Sequence, residues 1–276
     1  MPAGLDAPQT VLWTTASRTV QEREGRVGRM SGAPTLYRVL RAALPSVVMP
    51  YFKVTVEGLE HVPVSGAAVI AGNHLSFVDS FVLALTLPRP LYYLGKSDYW
   101  ESARTRWLVA GAGVVPVYRD GGDRGEGSLR AGVQLLRRGD LLGIYPEGTR
   151  SPDGRLYRGK TGPVRMALEA GAPIVPFGII GSDVAMPQDR RVIRRAPITL
   201  RFGAPIDLSR YHDRRTDPLV LRSATDELMY EIMLLSGQEY VDEYASHVKS
   251  GAVDVDEELL PSGDEDDEHP PGVSAG

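Results

Sequence analysis

A histidine and an aspartate five residues apart are the first pair in this sequence whose types and spacing could do chemistry. His74 and Asp79 follow an apolar stretch in "AVIAGNHLSFVDSF", residues 68–81. On an ideal helix, residues five positions apart point about 140° from each other. The two side chains therefore meet only if His74 precedes the helix and Asp79 lies in its first turn. A carboxylate bonded to one imidazole nitrogen fixes the tautomer and leaves the other nitrogen free to accept a proton, so the pair predicts a general base and its orienting residue.

A purely structural interpretation fits the same residues. Ser76 and Asp79 have the [ST]-x-x-[DE] spacing of a helix capping box, in which His74 would be an ordinary turn residue. The chain has no cysteine and no G-x-S-x-G elbow, so no protein nucleophile is indicated. If the pair is catalytic, the hydroxyl group that it activates belongs to a substrate.

Charged residues follow three other predicted strands. They are Lys96, Arg119 and the turn that contains Glu147, Gly148, Thr149 and Arg150. The carboxyl ends of parallel strands meet at one edge of an open sheet, where ligands bind, so these cations are predicted to converge there. A guanidinium beside the N–H groups of a glycine turn suits an oxyanion or a phosphate. Alternatively, Arg150 and Glu147 form a surface ion pair on a tight turn.

The stretch "GRLYRGKT", residues 154–161, matches the literal pattern of a phosphate-binding loop, G-x-x-x-x-G-K-[ST]. Polar residues 147–153 separate it from the preceding strand, and its variable positions are bulky where a phosphate needs close approach of the backbone. We therefore do not predict a nucleoside triphosphatase.

The elements that must position these residues alternate along the chain. Apolar stretches predict strands at 52–57, 67–71, 91–94, 114–118, 141–145, 174–180 and 198–202. Helices are predicted at 77–85, 101–110, 129–137, 163–170 and 218–235. Near-continuous apolar strands separated by helices are typical of an α/β fold with a largely parallel central sheet flanked by helices.

The two ends of the chain differ from this pattern. Residues 1–34 predict a disordered leader, residues 35–250 the folded domain, and residues 251–276 a disordered acidic tail. Residues 35–52 predict an N-terminal amphipathic helix, which Pro45 and Pro50 interrupt. This helix packs on the core, or it lies in a lipid interface with its arginines toward the head groups.

Charge is distributed unevenly along the 276 residues. The chain has 31 Lys and Arg against 35 Asp and Glu, a net charge of −4. Nine of the acidic residues and no basic residue lie in 252–276, so the first 251 residues carry 35 − 9 = 26 acids against 31 bases, a net charge of +5. A mildly basic body suits an anionic partner, and no nucleic-acid partner is expected.

Composition also excludes several kinds of site. Without cysteine there are no disulfides, thiolate metal sites or cysteine nucleophiles. The five histidines show no metal-ligand spacing, so no metal is expected. Neither an apolar stretch of about 18 residues nor a secretory signal is present, which predicts a location in the cytoplasm or on the inner face of a membrane.

Four blocks in the order "NHLSFVD", "GVVPVYR", "YPEGTRS" and "IVPFGI" resemble the motif blocks of the glycerophospholipid acyltransferases. The type member of that family is 1-acyl-glycerol-3-phosphate acyltransferase. The resemblance implies acyl transfer from acyl-CoA or acyl-carrier protein, as co-substrate, to the free hydroxyl of a lysophospholipid. With 1-acyl-glycerol-3-phosphate as acceptor the product is phosphatidic acid. No cofactor is implied.

The resemblance also implies roles for individual residues. His74 is the base and Asp79 its orienter. Lys96, Arg119 and Arg150 hold the acceptor phosphate, while Glu147, Gly148 and Thr149 shape the third block. Lys160 and Gly162 match a Lys-x-Gly element that often follows this block, and Tyr145 stands where phenylalanine is more usual.

The N-terminal helices of this family dock on the membrane, which favours an interfacial role for residues 35–52. The resemblance therefore implies peripheral attachment to the inner face of the cell membrane. Two alternatives stay open. The same chemistry could act on glycerol phosphate, another lysophospholipid or a glycolipid, or the chain could be a non-catalytic lipid-binding module.

Overall fold

The computed structural model describes residues 43–96, 114–117, 124–187 and 192–250. Its strands are β1 (Thr55–Glu57), β2 (Ala68–Gly72), β3 (Leu91–Lys96), β4 (Val114–Val117), β5 (Leu141–Ile144), β6 (Leu156–Tyr157), β7 (Ile174–Ile180), β8 (Thr199–Phe202) and β9 (Tyr240–Val241). Its helices are α1 (Pro45–Tyr51), α2 (Val78–Thr86), α3 (Arg124–Arg137), α4 (Gly162–Ala170), α5 (Ser182–Ala185), α6 (Pro218–Ser236) and α7 (Ala245–Ser250).

Within these ranges, one sheet has the strand order β1-β8-β7-β2-β5-β3-β4, and β6 pairs with β9 apart from it. The strands β7, β2, β5, β3 and β4 run parallel. β8 is antiparallel to β7, and β1 runs parallel to β8. The predicted α/β fold with a largely parallel sheet is confirmed. All seven predicted strands are in this sheet, whereas β6 and β9 were not predicted.

The predicted helices agree less evenly with the structure. The helices predicted at 77–85, 163–170 and 218–235 correspond to α2, α4 and α6, and α3 begins five residues earlier than predicted. The helix predicted at 101–110 lies outside the described residues, as do the leader, the acidic tail and residues 35–42. No helix in the described part of the chain is long and apolar enough to cross a membrane.

The two prolines that were predicted to interrupt the N-terminal helix lie in α1, which begins at Pro45 after a turn at Leu44. Residues 35–42 lie outside the described residues, so the interruption of the predicted helix stays a prediction. Pro45 occupies the first helical position, where the backbone N–H has no partner within the helix, so a proline there loses no hydrogen bond. Pro50 lies in the last turn, and the helix ends one residue later at Tyr51.

Strand β2 carries the first block, and it is buried on both faces. Ile70 packs in a core formed with α1 and α2, whereas Val69 and Ala71 pack in a second core formed with α3, α4 and α6. All five residues of β2 are buried. The chain therefore leaves the sheet from a tightly held strand immediately before His74.

Gly178 in β7 determines how closely α6 approaches the sheet. A Cβ atom on Gly178 would lie 2.6 Å from both the backbone carbon of Leu235 and the backbone nitrogen of Ser236. We expect Gly178→Ala to lower the free energy of unfolding by about 1–3 kcal/mol, because overpacking would push the helix away from β7. Chemical denaturation followed by circular dichroism measures this change.

Gly162→Ala is the matched control, since a Cβ atom there would have no neighbour within 4 Å. Its free energy of unfolding should stay within about 0.5 kcal/mol of the parent value. Equal losses in the two variants would show that close packing at Gly178 is not the cause.

Candidate active site

The turn between β2 and α2 brings His74 and Asp79 together. His74 Nδ1 lies 2.8 Å from Asp79 Oδ2. The same oxygen accepts the backbone N–H groups of Leu75 at 2.7 Å and Ser76 at 2.8 Å. Asp79 is fully buried, and the His74 side chain is 18% exposed. His74 thus precedes the helix and Asp79 lies in its first turn, as the spacing predicts, while their catalytic roles stay a prediction.

The protonation pattern of the imidazole follows from this contact. A carboxylate oxygen only accepts hydrogen bonds. His74 Nδ1 therefore carries a proton and donates a hydrogen bond to Asp79. The other ring nitrogen, Nε2, has no hydrogen-bond partner among the described residues. Nε2 is therefore the atom that is able to accept a proton from a bound hydroxyl group.

The predicted capping box is only half correct. Asp79 accepts the N–H of Ser76, as the box requires, but the Ser76 hydroxyl does not cap α2. That hydroxyl donates instead to the carbonyl of Met186 at 2.7 Å, just after α5. Ser76 thereby ties the His74 turn to the segment that follows β7.

Asn73 continues the pairing of β2 with β7 beyond the last strand residue. Its Nδ2 donates to the Ile179 carbonyl at 2.9 Å, and its Oδ1 accepts the Ile179 N–H at 2.7 Å. A fully buried amide side chain thus replaces one rung of the sheet and directs the chain into the turn. The sequence pattern did not predict this role.

Tyr145, immediately after β5, covers one face of the His74 ring. The two ring centroids are 3.9 Å apart and the ring planes differ by 8°. The Tyr145 hydroxyl shares a hydrogen bond with Ser80 Oγ on α2 at 3.0 Å. Burial raises the pKa of Tyr145 well above its ordinary value, and the neighbouring Tyr93 and Asp79 raise it further. The phenol that contacts His74 is therefore uncharged at neutral pH.

Glu147 is a buried carboxylate that joins the third block to the His74 turn. Its Oε1 accepts the backbone N–H of His74 at 3.3 Å, and its Oε2 accepts that of Tyr157 at 3.0 Å. The Ser151 N–H donates to the His74 carbonyl at 2.7 Å and adds a second link. Glu147 is 1% exposed, so it does not form the surface ion pair with Arg150 that was the alternative.

The third block itself forms a tight turn. The Gly148 N–H donates to the Tyr145 carbonyl at 3.0 Å, which closes a four-residue turn. Pro146 is the second residue and Gly148 the fourth, positions at which β-turns favour proline and glycine. Gly148 also has a φ of 72°, which glycine adopts at no steric cost. This turn leads directly into Thr149 and Arg150.

Lys249 from α7 reaches this turn from a distant part of the chain. Its Nζ donates to Thr149 Oγ1 at 2.9 Å and to the carbonyl of Arg150. Burial lowers the pKa of Lys249, and the charge of Arg150 lowers it further. Lys160 lies over Gly148, where an added Cβ atom would be 3.8 Å from its Nζ. No motif predicted Lys249, because it follows the turn by about 100 residues.

Among the described residues, no hydrogen bond or ion pair engages the guanidinium of Arg150. Lys96 ends β3 at the same edge of the sheet, but its side chain is not described. Arg119 lies outside the described residues. The structure thus brings Glu147, Gly148, Thr149 and Arg150 beside His74 at the ends of the paired strands β2 and β5. The phosphate-binding roles, including those of Lys96 and Arg119, stay a prediction.

The stretch that matched a phosphate-binding loop has a different structure. Leu156 and Tyr157 form the buried strand β6, which pairs with β9. Their side chains are fully buried, so the backbone at these positions does not surround a phosphate. In the part of the chain that the structure describes, no three potential metal-ligating side chains come together.

The buried carboxylate predicts a pH-dependent stability. Burial raises the pKa of Glu147 from 4.5 to about 7, although two backbone hydrogen bonds lower it. The folded protein therefore binds this proton more tightly than the unfolded chain, and stability from this group is lost as pH rises from 4.5 through 7. We expect the free energy of unfolding, relative to Glu147→Gln, to fall by about 3 kcal/mol across that range.

Denaturant titrations of the parent and Glu147→Gln at pH 4.5, 5.5, 6.5 and 7.5 measure this difference. All other groups titrate in both proteins, so their contributions cancel. A difference that is constant with pH would show that Glu147 ionises normally.

Comparisons with known proteins agree with this geometry. Residues 53–180 match the protein family described as Acyltransferase. The chain is 34% identical over 141 residues to the chloroplastic 1-acyl-sn-glycerol-3-phosphate acyltransferase LPAT1 of Arabidopsis thaliana, a match that covers 51% of this chain and 39% of that protein. It is 27% identical over 173 residues to the 1-acyl-sn-glycerol-3-phosphate acyltransferase of Bacillus subtilis, covering 62% of this chain and 82% of the relative.

A solved structure has the same fold. It is the 1-acyl-sn-glycerophosphate acyltransferase PlsC of Thermotoga maritima, with a TM-score of 0.54 and 20% identity over 79% of this chain and 87% of that one. The chain spans about half the length of several curated relatives that it matches. The matched residues 53–180 contain His74, Asp79 and the turn around Arg150. The region that holds the site is thus similar to the Acyltransferase family and to 1-acyl-sn-glycerol-3-phosphate acyltransferases, the PlsC type.

Proposed function

We propose that this protein is an O-acyltransferase that moves a fatty acyl group from acyl-CoA or acyl-carrier protein to the free hydroxyl of 1-acyl-glycerol-3-phosphate. The product is phosphatidic acid. The observation that carries the proposal is the 2.8 Å contact between His74 Nδ1 and Asp79 Oδ2, beside a cationic turn. The names of the relatives support the choice of acceptor.

In the reaction, Nε2 of His74 takes the proton of the acceptor hydroxyl as its oxygen attacks the thioester carbonyl. A C–O bond forms, the C–S bond of the donor breaks, and the departing thiolate takes the proton back from the imidazolium. Asp79 keeps the imidazole in the required tautomer and stabilises its positive charge. No group of the protein becomes acylated.

The phosphate of the acceptor binds at the turn after β5. Arg150 and Lys160 provide cations there, and Lys96 and Arg119 add to them in the roles that the family implies. Glu147 leaves the charge of Arg150 uncompensated, because its carboxylate accepts backbone N–H groups instead. A planar guanidinium binds two phosphate oxygens at once, which suits a monoester head group.

The protein attaches peripherally to the inner face of the cell membrane, in the cytoplasm, where its lipid acceptor lies. The helix α2 that follows His74 packs against both α1 and α5. The Arg194 N–H donates to the carbonyl of Ala185, the last residue of α5. Five apolar side chains from these segments are at least half exposed: Val47, Phe77, Val184, Val192 and Ile193. Exposed apolar groups beside the exposed Arg194 and Arg195 suit an anionic lipid surface.

The function is tested by measuring thiol release from acyl-CoA with and without 1-acyl-glycerol-3-phosphate. We expect release that depends on the acceptor, and a 10²–10⁴-fold lower rate for His74→Ala, roughly the contribution of a general base. His212→Ala is the matched control, because His212 is exposed on a surface turn, and it should keep the parent rate.

Three results would count against the proposal. Parent turnover in His74→Ala would remove His74 as the base. Turnover of glycerol phosphate or another lysophospholipid, with none of 1-acyl-glycerol-3-phosphate, would keep the chemistry and change the acceptor. Vesicle binding without turnover of any acceptor or donor would indicate a lipid-binding module.

The proposed membrane surface predicts a second result. The double variant Val47→Glu/Ile193→Glu should bind vesicles containing anionic lipid about tenfold more weakly, since it places charges among apolar groups that enter the interface. Co-sedimentation measures this binding. Leu219→Glu is the control, because Leu219 is 75% exposed on α6, which packs on the opposite face of the sheet. Equal binding of the double variant and the control would place the membrane surface elsewhere.

A further inference from the structure

We propose that Tyr145 is a positioning residue for His74, whose ring holds the imidazole plane and stabilises the protonated imidazole that forms during the reaction. The proposal rests on the proposed function, because it requires His74 to be the base. Tyr145 lies 3.9 Å from the imidazole with nearly parallel ring planes, which is direct contact over the ring faces.

The hydrogen bond to Asp79 constrains the imidazole in its own plane only. Small rotations about the Cα–Cβ and Cβ–Cγ bonds are able to tilt the ring while the Nδ1 contact persists, and the tilt moves Nε2 away from the hydroxyl. Tyr145 lies against the ring face and opposes this tilt from one side. The two contacts are therefore complementary, one through an edge of the imidazole and the other through its face.

Tyr145 is itself held in place from the core. Its ring is 6.2 Å from that of Tyr93, with an interplanar angle of 14°, and it meets Phe177 edge-on at 6.3 Å. Tyr93 in turn lies against Gly143, where an added Cβ atom would be 2.6 Å from Tyr93 Cε1. The rings of Tyr93 and Phe177 thus hold the Tyr145 ring in place against His74.

The Tyr145 hydroxyl provides a tether that phenylalanine, more usual at this position, would lack. It shares a hydrogen bond with Ser80 Oγ at 3.0 Å, and Tyr93 donates to the Ser80 carbonyl at 3.2 Å. Ser80 directly follows Asp79 on α2. The residue that contacts the edge of the imidazole, Asp79, and the residue that anchors Tyr145, Ser80, therefore both lie on α2.

The stacked ring also acts on charge. The face of an aromatic ring attracts a cation, so Tyr145 favours the imidazolium over the neutral imidazole. The described titratable groups placed against His74 are Asp79 from α2 and Tyr145 and Glu147 from the segment after β5. Glu147 titrates near neutral pH, so an activity profile alone would mix its effect with that of His74.

The test compares Tyr145→Leu, which removes the ring, with Tyr145→Phe, which removes only the hydroxyl. We expect Tyr145→Leu to lower kcat about tenfold, with KM for acyl-CoA and for 1-acyl-glycerol-3-phosphate within about twofold of the parent values. Tyr145→Phe should keep kcat within about threefold, because the stacking remains. A merely structural role would raise both KM values as well.

The NMR signals of the His74 imidazole protons, identified by their absence in His74→Ala, provide a readout that needs no substrate. They should move downfield in Tyr145→Leu, because the ring current of the stacked phenol is lost, and stay nearly unchanged in Tyr145→Phe. If the parent protein transfers no acyl group, the proposed function fails, while these signals still test the stacking.

Three outcomes would overturn the inference. The first is an unchanged kcat together with unchanged imidazole signals in Tyr145→Leu. The second is an equal loss in Tyr145→Phe and Tyr145→Leu, which would assign the effect to the hydroxyl. The third is a rise in both KM values with no change in kcat. Should Tyr145→Leu show no cooperative unfolding transition, Tyr145→Met replaces it with the same expected outcomes.

Discussion

The site depends on one buried oxygen atom, Oδ2 of Asp79. It accepts the N–H groups of Leu75 and Ser76 and contacts Nδ1 of His74, all within 2.8 Å. The first two bonds close the turn from strand to helix, and the third orients the imidazole. A buried acceptor that loses its donors costs more free energy than the bonds alone contribute. Folding of this turn and orientation of His74 are thus coupled through the same carboxylate, so the imidazole is already oriented when the turn forms.

The pairing of β2 with β5 brings the second half of the site to this turn. The two strands are neighbours in the sheet although about 70 residues separate them, and both leave the sheet at the same edge. Glu147 and Ser151 then bond to the backbone of His74 on either side of its Cα atom, at the N–H and at the carbonyl. The backbone of His74 and its side chain are therefore held by different parts of the chain. The strand order, rather than the local sequence, determines this combination.

These two kinds of contact explain what the sequence could and could not predict. The strands β2, β5 and β7 are buried almost throughout, and all seven sheet strands form largely apolar runs, so they were predictable. By contrast, β6 and β9 have two residues each and no such pattern. The contact of His74 with Asp79 is local and follows from a five-residue spacing. The contact of Lys249 with Thr149 spans 100 residues, and the stacking of Tyr145 on His74 spans 71. Contacts of this kind depend on topology that a local pattern does not contain.

The turn after β5 must be both rigid and positively charged, and the position of Glu147 allows both. A carboxylate that paired with Arg150 would hold the turn but neutralise the charge that an anionic acceptor needs. Glu147 instead lies beneath the turn and bonds to the backbone N–H groups of His74 and Tyr157, so it provides rigidity without an ion pair. Burial raises its pKa to about 7, which further limits its negative charge near neutral pH. Lys249, bonded to the Arg150 carbonyl, adds a further cation to the turn. The excess positive charge at this edge is consequently left for a ligand.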